Sequence, residues 1–447
     1  MTVTDLHEKL VITGAQKATD EEHGADAEKL RSRGVPFWRK VLAACGPGLM
    51  VCLADTDGGG LITAAQSGAE WRYKLVGLQL ALSPVLFCAQ DLTLRIGLTR
   101  GMGLAAVLRH DVGPKAAWFV AIPLLLTCLG AVVSEMSMIM DVMQWWGVPC
   151  VVTNAVVSTT LLLLALTGSY EIPEKVGLAM GICQVLFFAT MYIAGPNFHE
   201  VASDLQQFPI GERDFFSLAT ANIGAVIMPW MLAYQQSSMV QKGLSGTADS
   251  GGETMLLQRL DTAFGCVLTQ GVMIAMLVSV AATVPDNSKV RHVGDLCGIF
   301  TSMLGSEFHA KLVLTFAIIG ACMVAAIVVS MCAAWTIEEA LGQQGQAAGS
   351  LRDVRGTIAK RPAFYSVFIG VLVFAFVGTI AMKDVIVKLN IYIEALNGLL
   401  MPPVIFALWH LACHNVPEHA QLGPCTKWSL FVVFFVCSAF CLISILS

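Results

Sequence analysis

Long apolar stretches recur along the whole chain, separated by short polar connections. Eleven of them approach or exceed the length of about 18 residues that reads as a membrane helix. They run approximately over 42–65, 75–96, 116–140, 151–166, 176–193, 215–240, 263–284, 312–335, 363–382, 386–411 and 429–445. A soluble helical core would need many helices apolar on every face, so the pattern predicts an all-α polytopic membrane protein. The first stretch is interrupted by Asp55-Thr56-Asp57 and then Gly58-Gly59-Gly60. An acidic side chain at the centre of a membrane helix costs roughly 2.5–3.5 kcal/mol, so two of them need a partner. Three consecutive glycines predict a broken helix at that point. Carboxylates beside unwound backbone near the bilayer midplane predict a cation site.

A second interruption is expected in the sixth stretch, where Gly224-Ala225-Val226-Ile227-Met228 leads into Pro229. Proline cannot donate a backbone hydrogen bond and clashes with the preceding turn. The carbonyls it frees are tolerated at membrane depth only where they line a cavity or a polar site. Each interruption opens a block of five spans, and broken helices at corresponding positions of two halves point to a transporter site.

Composition agrees with this picture. A mean hydropathy of +0.70, with 56% hydrophobic and only 13% charged residues, is far from soluble averages. The net charge of −5 comes without a basic stripe, which removes nucleic acid as a partner. No G-x-x-x-x-G-K-[ST] sequence occurs, so ATP-driven pumping is not expected, and no enzyme chemistry or bound cofactor is expected either. Most of the 14 cysteines lie within spans and none forms Cys-x-x-Cys, so they read as small apolar residues without a zinc or redox role. Residues 1–40 form a polar tail with no apolar h-region. With this tail in the cytoplasm, the inner connections hold most of the 27 Lys and Arg. That places the C-terminus outside and the protein in the cell membrane.

Several residues carry a resemblance to a known family. Gly46-Pro47-Gly48, the acidic break, Ala64-Ala65-Gln66-Ser67-Gly68-Ala69 and Tyr73-Lys74-Leu75 resemble the first span of Nramp divalent-metal transporters. Gln90-Asp91-Leu92 to Arg95-Ile96-Gly97 resembles their second-span exit, Gly224-Ala225 with Met228-Pro229 their metal-binding sixth span, and Ile337-Glu338-Glu339 their eighth-span exit. The resemblance implies a LeuT-type fold of about 11 transmembrane helices, a 5+5 inverted repeat with one helix appended. On that plan 1–40 is the tail, 41–241 the first repeat with the sixth helix, 242–413 the remainder of the second repeat, and 414–447 the addition.

The chain also departs from the family pattern. Gly60 stands where Nramps carry the Asn of Asp-Pro-Gly-Asn, Trp230 where they carry the His of Met-Pro-His-Asn, and Gln235 where a second His is found. The third-span Asp-x-x-Glu becomes Val132-Val133-Ser134-Glu135. With proton-relay groups largely absent, the sequence is most similar to the Nramp-related magnesium transporters. The implied substrate is Mg²⁺, with Mn²⁺ also admitted, moved by alternating access without proton coupling.

Asp55, Asp57, Gly60, Ala225 and Met228 are the expected metal contacts. Trp230, Gln235, Gln236, Glu135 and Glu394 are expected around the cavity or its gates. Mg²⁺ prefers octahedral oxygen ligands with several waters retained, and replacing Asn by glycine is expected to widen the site for a hydrated ion. Met228 offers a sulfur better suited to softer metals, or it only packs. Asp55 and Asp57 are alternatively caps of a half-helix. Glu394 alternatively pairs with Lys388, and Asn397 is left between the same two readings. Asp91 and Arg95 read as an i, i+4 pair, and His410 and His414 as interfacial. The rival functions are a proton-coupled Mn²⁺ or Fe²⁺ importer and a metal sensor or scaffold with a transporter fold. The expected partners are the divalent ion and the lipid bilayer, with the chain acting as a monomer.

Overall fold

The computed structural model describes residues 46–207, 209, 212–244, 251–285, 288–290, 293–343, 354–381, 386–417 and 420–446. The polar tail over 1–40 lies outside them. Among the described residues all regular structure is helical. The first apolar stretch folds as α1 (Pro47–Asp55) and α2 (Gly58–Trp71), followed by α3 (Val76–Arg100), the short α4 (Leu104–Asp111), α5 (Pro114–Gln144) and α6 (Cys150–Leu166). The fifth stretch comprises α7 (Glu171–Gly181) and α8 (Leu186–Ala194), joined through a 3-10 turn over Ile182–Val185. After the short α9 (Phe198–Asp204), the sixth stretch forms α10 (Arg213–Val226) and α11 (Pro229–Gln241). The second half continues with α12 (Gly251–Thr283), α13 (Val293–Leu304), α14 (Glu307–Ala340), α15 (Val354–Lys360), α16 (Pro362–Ala381), α17 (Ile386–His414) and α18 (Pro424–Leu446).

The described part of each of the eleven apolar stretches is therefore helical, and among the described residues eight helical segments are long and apolar enough to cross a membrane by themselves. Large apolar side chains such as Phe119, Val156, Phe264, Val267 and Phe374 cover the outside. A bilayer-facing surface requires this, because lipid offers polar groups no partners.

The two interruptions occupy the centre. Pro229 takes the first position of α11, where a missing N–H costs nothing, and Met228 before it is extended (φ −90°, ψ 133°). Pro84, Pro123, Pro402 and Pro403 lie inside continuous helices, so proline alone does not open a span here. Half of each broken helix packs on the opposite half of the other, α1 on α11 and α2 on α10, while α12 runs beside α1, α2 and α3. Tyr234 Oη lies 3.4 Å from Met50 Sδ on the first seam. Asn222 spans the second, donating to Ser67 Oγ at 2.8 Å and accepting from Gln79 Nε2 at 2.6 Å.

Candidate cation site between the broken helices

At the first break the helix opens for only two residues, Thr56 and Asp57. The sequence reading placed the three glycines in the unwound segment; they instead begin α2. Crowding gives the physical reason. A Cβ on Gly58 would stand 2.8 Å from Met138 Cγ, 3.1 Å from Cys322 Sγ and 3.3 Å from Glu135 Oε2. On Gly60 it would meet Asp57 Oδ1 at 3.2 Å and Met273 Cε at 3.3 Å. Neighbouring helices take up the space beside Gly58, so glycine there permits close packing and does not open room. Within α2 the Gly60 N–H donates to Asp57 Oδ1 at 2.7 Å, and Gly59 O accepts from Thr63 Oγ1 at 2.9 Å.

Asp57 thus caps α2, as the structural alternative required. An ionised carboxylate has about four acceptor positions, so the cap leaves capacity for a cation. Asp55 closes α1 and is 1% exposed, Asp57 is 3% exposed, and Glu135 on α5 is 1% exposed. Glu135 Oε2 accepts from Gly58 N at 3.1 Å. Two buried aspartates flank a two-residue break, and a cation held beside them would offset their charge. Gln184, in the 3-10 turn, braces the same break: its Nε2 donates to Leu53 O at 2.8 Å and its Oε1 accepts from Thr56 Oγ1.

At the second break Ala225 and Met228 are fully buried. Trp230 is buried too, and its indole Nε1 has no hydrogen-bond partner among the described residues. The two glutamines lie further along α11 and are engaged elsewhere. Gln235 accepts from Thr93 Oγ1 at 2.6 Å and donates to Thr262 Oγ1 at 3.1 Å, tying α3 to α12. Gln236 Nε2 donates to Met102 O at 2.9 Å. Gln235 therefore links helices and Gln236 ties α11 to the connection between α3 and α4, both along α11 from the break. Glu394 lies on α17, but its side chain, like that of Lys388, is outside the described residues; Asn397 on the same helix is buried. Among the described residues no three His, Cys, Asp or Glu side chains form a metal cluster, so a cation here would take carboxylate, carbonyl and thioether ligands together.

Other polar groups hold the half-helices in place. Asp261 on α12 accepts from Gly48 N at 2.9 Å, Leu49 N at 3.2 Å and Gly46 N at 3.3 Å, fastening the start of α1. Sequence reasoning missed both Asp261 and Gln184. The available signal was a polar side chain at the edge of, or inside, an apolar stretch. Asp91 pairs with Arg95 at 2.7 Å as expected and also with Arg259 at 2.8 Å. Arg361 forms a buried ion pair with Glu338 through its Nε at 2.9 Å. His410 and His414 lie with ring centroids 4.6 Å apart and planes tilted by 34°, both exposed, His414 Nδ1 lying 3.0 Å from His410 O. At the end of α4, burial pushes the Asp111 carboxyl up, but His110, Arg100 and Asn415 all bond to it and hold it below its usual range.

The family model described as Natural resistance-associated macrophage protein-like (Nramp) matches residues 48–447. Among curated relatives, the divalent metal cation transporter MntH of Ralstonia nicotianae is 30% identical over 57% of this chain and 59% of that protein. The MntH of Latilactobacillus sakei is 26% identical over 51% and 52%. The chain thus spans about half the length of the curated relatives it matches. Among solved structures, a manganese transporter of Eremococcus coleocola superposes with a TM-score of 0.69 at 16% identity, over 93% of this chain and 88% of that one. MhsT in complex with L-phenylalanine superposes at 0.52 and 11% identity, over 90% and 97%. These likenesses show the LeuT-type fold. With the family match running through both broken helices, the chain belongs to the Nramp family.

Proposed function

We propose that this protein carries divalent metal cations across the cell membrane by alternating access, with the cation held between the two broken helices. The observation that carries the reading is the enclosure of Asp55, Asp57, Ala225 and Met228, each at most 3% exposed, at two breaks whose half-helices pack on each other. A cation reaches such a site only when one side opens and leaves it only when the other does. Broken-helix transporters do this by rocking one bundle against another. Asp57 is the primary ligand, and Ala225 and Met228 supply a carbonyl and a thioether from the facing break.

Mn²⁺ is the substrate that the names of the relatives favour, since the matched proteins are divalent metal cation and manganese transporters. Mg²⁺ is the second reading, favoured by Gly60 and Trp230 standing where the family pattern has Asn and His. That reading carries uncoupled transport with it, because the proton-relay groups of the family pattern are largely absent. Two positive charges moving inward gain about 4.6 kcal/mol per 100 mV of inside-negative potential, enough for accumulation without protons. The proposed orientation, N-terminus inside, follows the Lys and Arg distribution.

Competition in proteoliposomes separates the readings. Mn²⁺ uptake that excess Mg²⁺ leaves untouched, with lumenal acidification, supports a proton-coupled manganese importer. Mutual competition at constant lumenal pH supports the magnesium reading. Binding of either ion without flux of any divalent ion would overturn transport altogether.

A further inference from the structure

The cysteines carry more than the sequence indicates. Cys52 on α1 and Cys266 on α12 are 214 residues apart in sequence, yet their sulfurs lie 3.8 Å apart. Both are buried, at 0% and 2% exposure, and both are free thiols. The Gln90 side chain of α3 reaches the pair, its Oε1 lying 3.3 Å from Cys52 Sγ and 3.8 Å from Cys266 Sγ. Gln90 Nε2 lies 3.5 Å from Met231 Sδ, an arrangement that turns the amide oxygen toward the thiols. The Thr262 carbonyl stands 3.9 Å from Cys52 Sγ. Gly265 makes the approach possible, since a Cβ there would lie 2.8 Å from both Cβ and Sγ of Cys52.

These separations are close to four of the six edges of a coordination tetrahedron. With metal–sulfur distances of about 2.3 Å and metal–oxygen distances of about 2.0–2.2 Å, ligands in tetrahedral zinc sites stand about 3.4–3.8 Å apart. Of the four separations here, the two at 3.8 Å fall within that range, and those at 3.3 and 3.9 Å lie just outside its two ends. Two thiolates suit a soft or borderline metal and not Mg²⁺. A divalent ion also balances their two charges, which avoids a net charge in a low-dielectric interior.

We propose that Cys52, Cys266, Gln90 Oε1 and Thr262 O form a second metal site, selective for a thiophilic divalent cation such as Zn²⁺ or Cd²⁺. On binding, two S–H bonds break, two metal–sulfur bonds form and two protons pass to water, with no change of oxidation state. The site bridges α1, α3 and α12, and Cys52 is three residues before Asp55. A bound soft ion therefore pins α1 against α12 and blocks transport. That consequence rests on the transport reading, whereas the binding does not.

The test titrates the purified full-length protein with Cd²⁺ and follows the ultraviolet thiolate-to-cadmium charge-transfer absorption. One Cd²⁺ per chain carrying a two-thiolate band is expected. Cys52→Ser and Cys266→Ser should each weaken binding at least tenfold, while Cys437→Ser leaves it unchanged. X-ray absorption at the cadmium edge of the wild-type protein, recorded with excess Mn²⁺ to occupy the site between the broken helices, reads the shell without any substitution and should show two sulfur and two oxygen neighbours. No band, an all-oxygen shell, or a band retained in both serine variants would overturn the site. A band with the expected shell but no block of flux would leave the binding site standing and remove the pinning.

Discussion

Asp57 has two roles that substitution separates. Its Oδ1 caps α2 through Gly60 N at 2.7 Å, and its charge is proposed to hold the transported cation. Asn caps a helix about as well as Asp, so Asp57→Asn should keep the fold and lose the charge. Breaking a buried charge pair by removing one partner costs about 3–5 kcal/mol, which is two to three and a half orders of magnitude in affinity. Asp57→Ala loses the cap as well, a further cost of about 0.5–2 kcal/mol in stability. Two assays read the two roles. Isothermal titration with Mn²⁺ and Mg²⁺ should show binding abolished in both variants over the accessible range. Thermal melting of the detergent-solubilised protein should place Asn near the wild type and Ala clearly below it. Wild-type affinity in Asp57→Asn would refute the ligand role, and equal melting of all three proteins would refute the cap.

Other substitutions probe the supports of the site. Gly58→Ala places a Cβ 2.8 Å from Met138 Cγ; overpacking of this kind costs about 1–3 kcal/mol, and a lower melting temperature with reduced uptake is expected. Arg361→Ala leaves Glu338 buried without its ion-pair partner, a loss of about 3–5 kcal/mol read in the same melt. Asp111 predicts a pH dependence. Its carboxyl is held below its usual range in the folded protein, so its stabilisation is present above the unfolded value and disappears as pH falls through the lowered one. The melting difference between wild type and Asp111→Asn should therefore be largest near neutral pH and vanish in acid.

Much of the fold was legible in the sequence because lipid imposes a simple rule: apolar length predicts a span. The described part of all eleven stretches is helical, and both interruptions fall where Asp55-Thr56-Asp57 and Met228-Pro229 placed them. The part that was not legible depends on what the neighbours do. Three glycines look like an unwound segment until Met138, Cys322 and Glu135 are seen crowding Gly58. Gln235 and Gln236 sit beside the second break in sequence, but helical geometry carries them along α11 to Thr262 and Met102. Asp261, Gln184 and the Cys52–Cys266 pair act across more than 120 residues of chain. No local pattern records such contacts, because they arise only when α1 docks on α12 and on the 3-10 turn.

The central claim is that one cation sits between the two broken helices. Anomalous scattering from crystals grown with Mn²⁺ tests it most directly. The account predicts a single strong peak in contact with the Asp57 carboxylate on one side and with Met228 or the Ala225 carbonyl on the other. A peak that touches neither break, or no bound manganese at concentrations that saturate uptake, would contradict it.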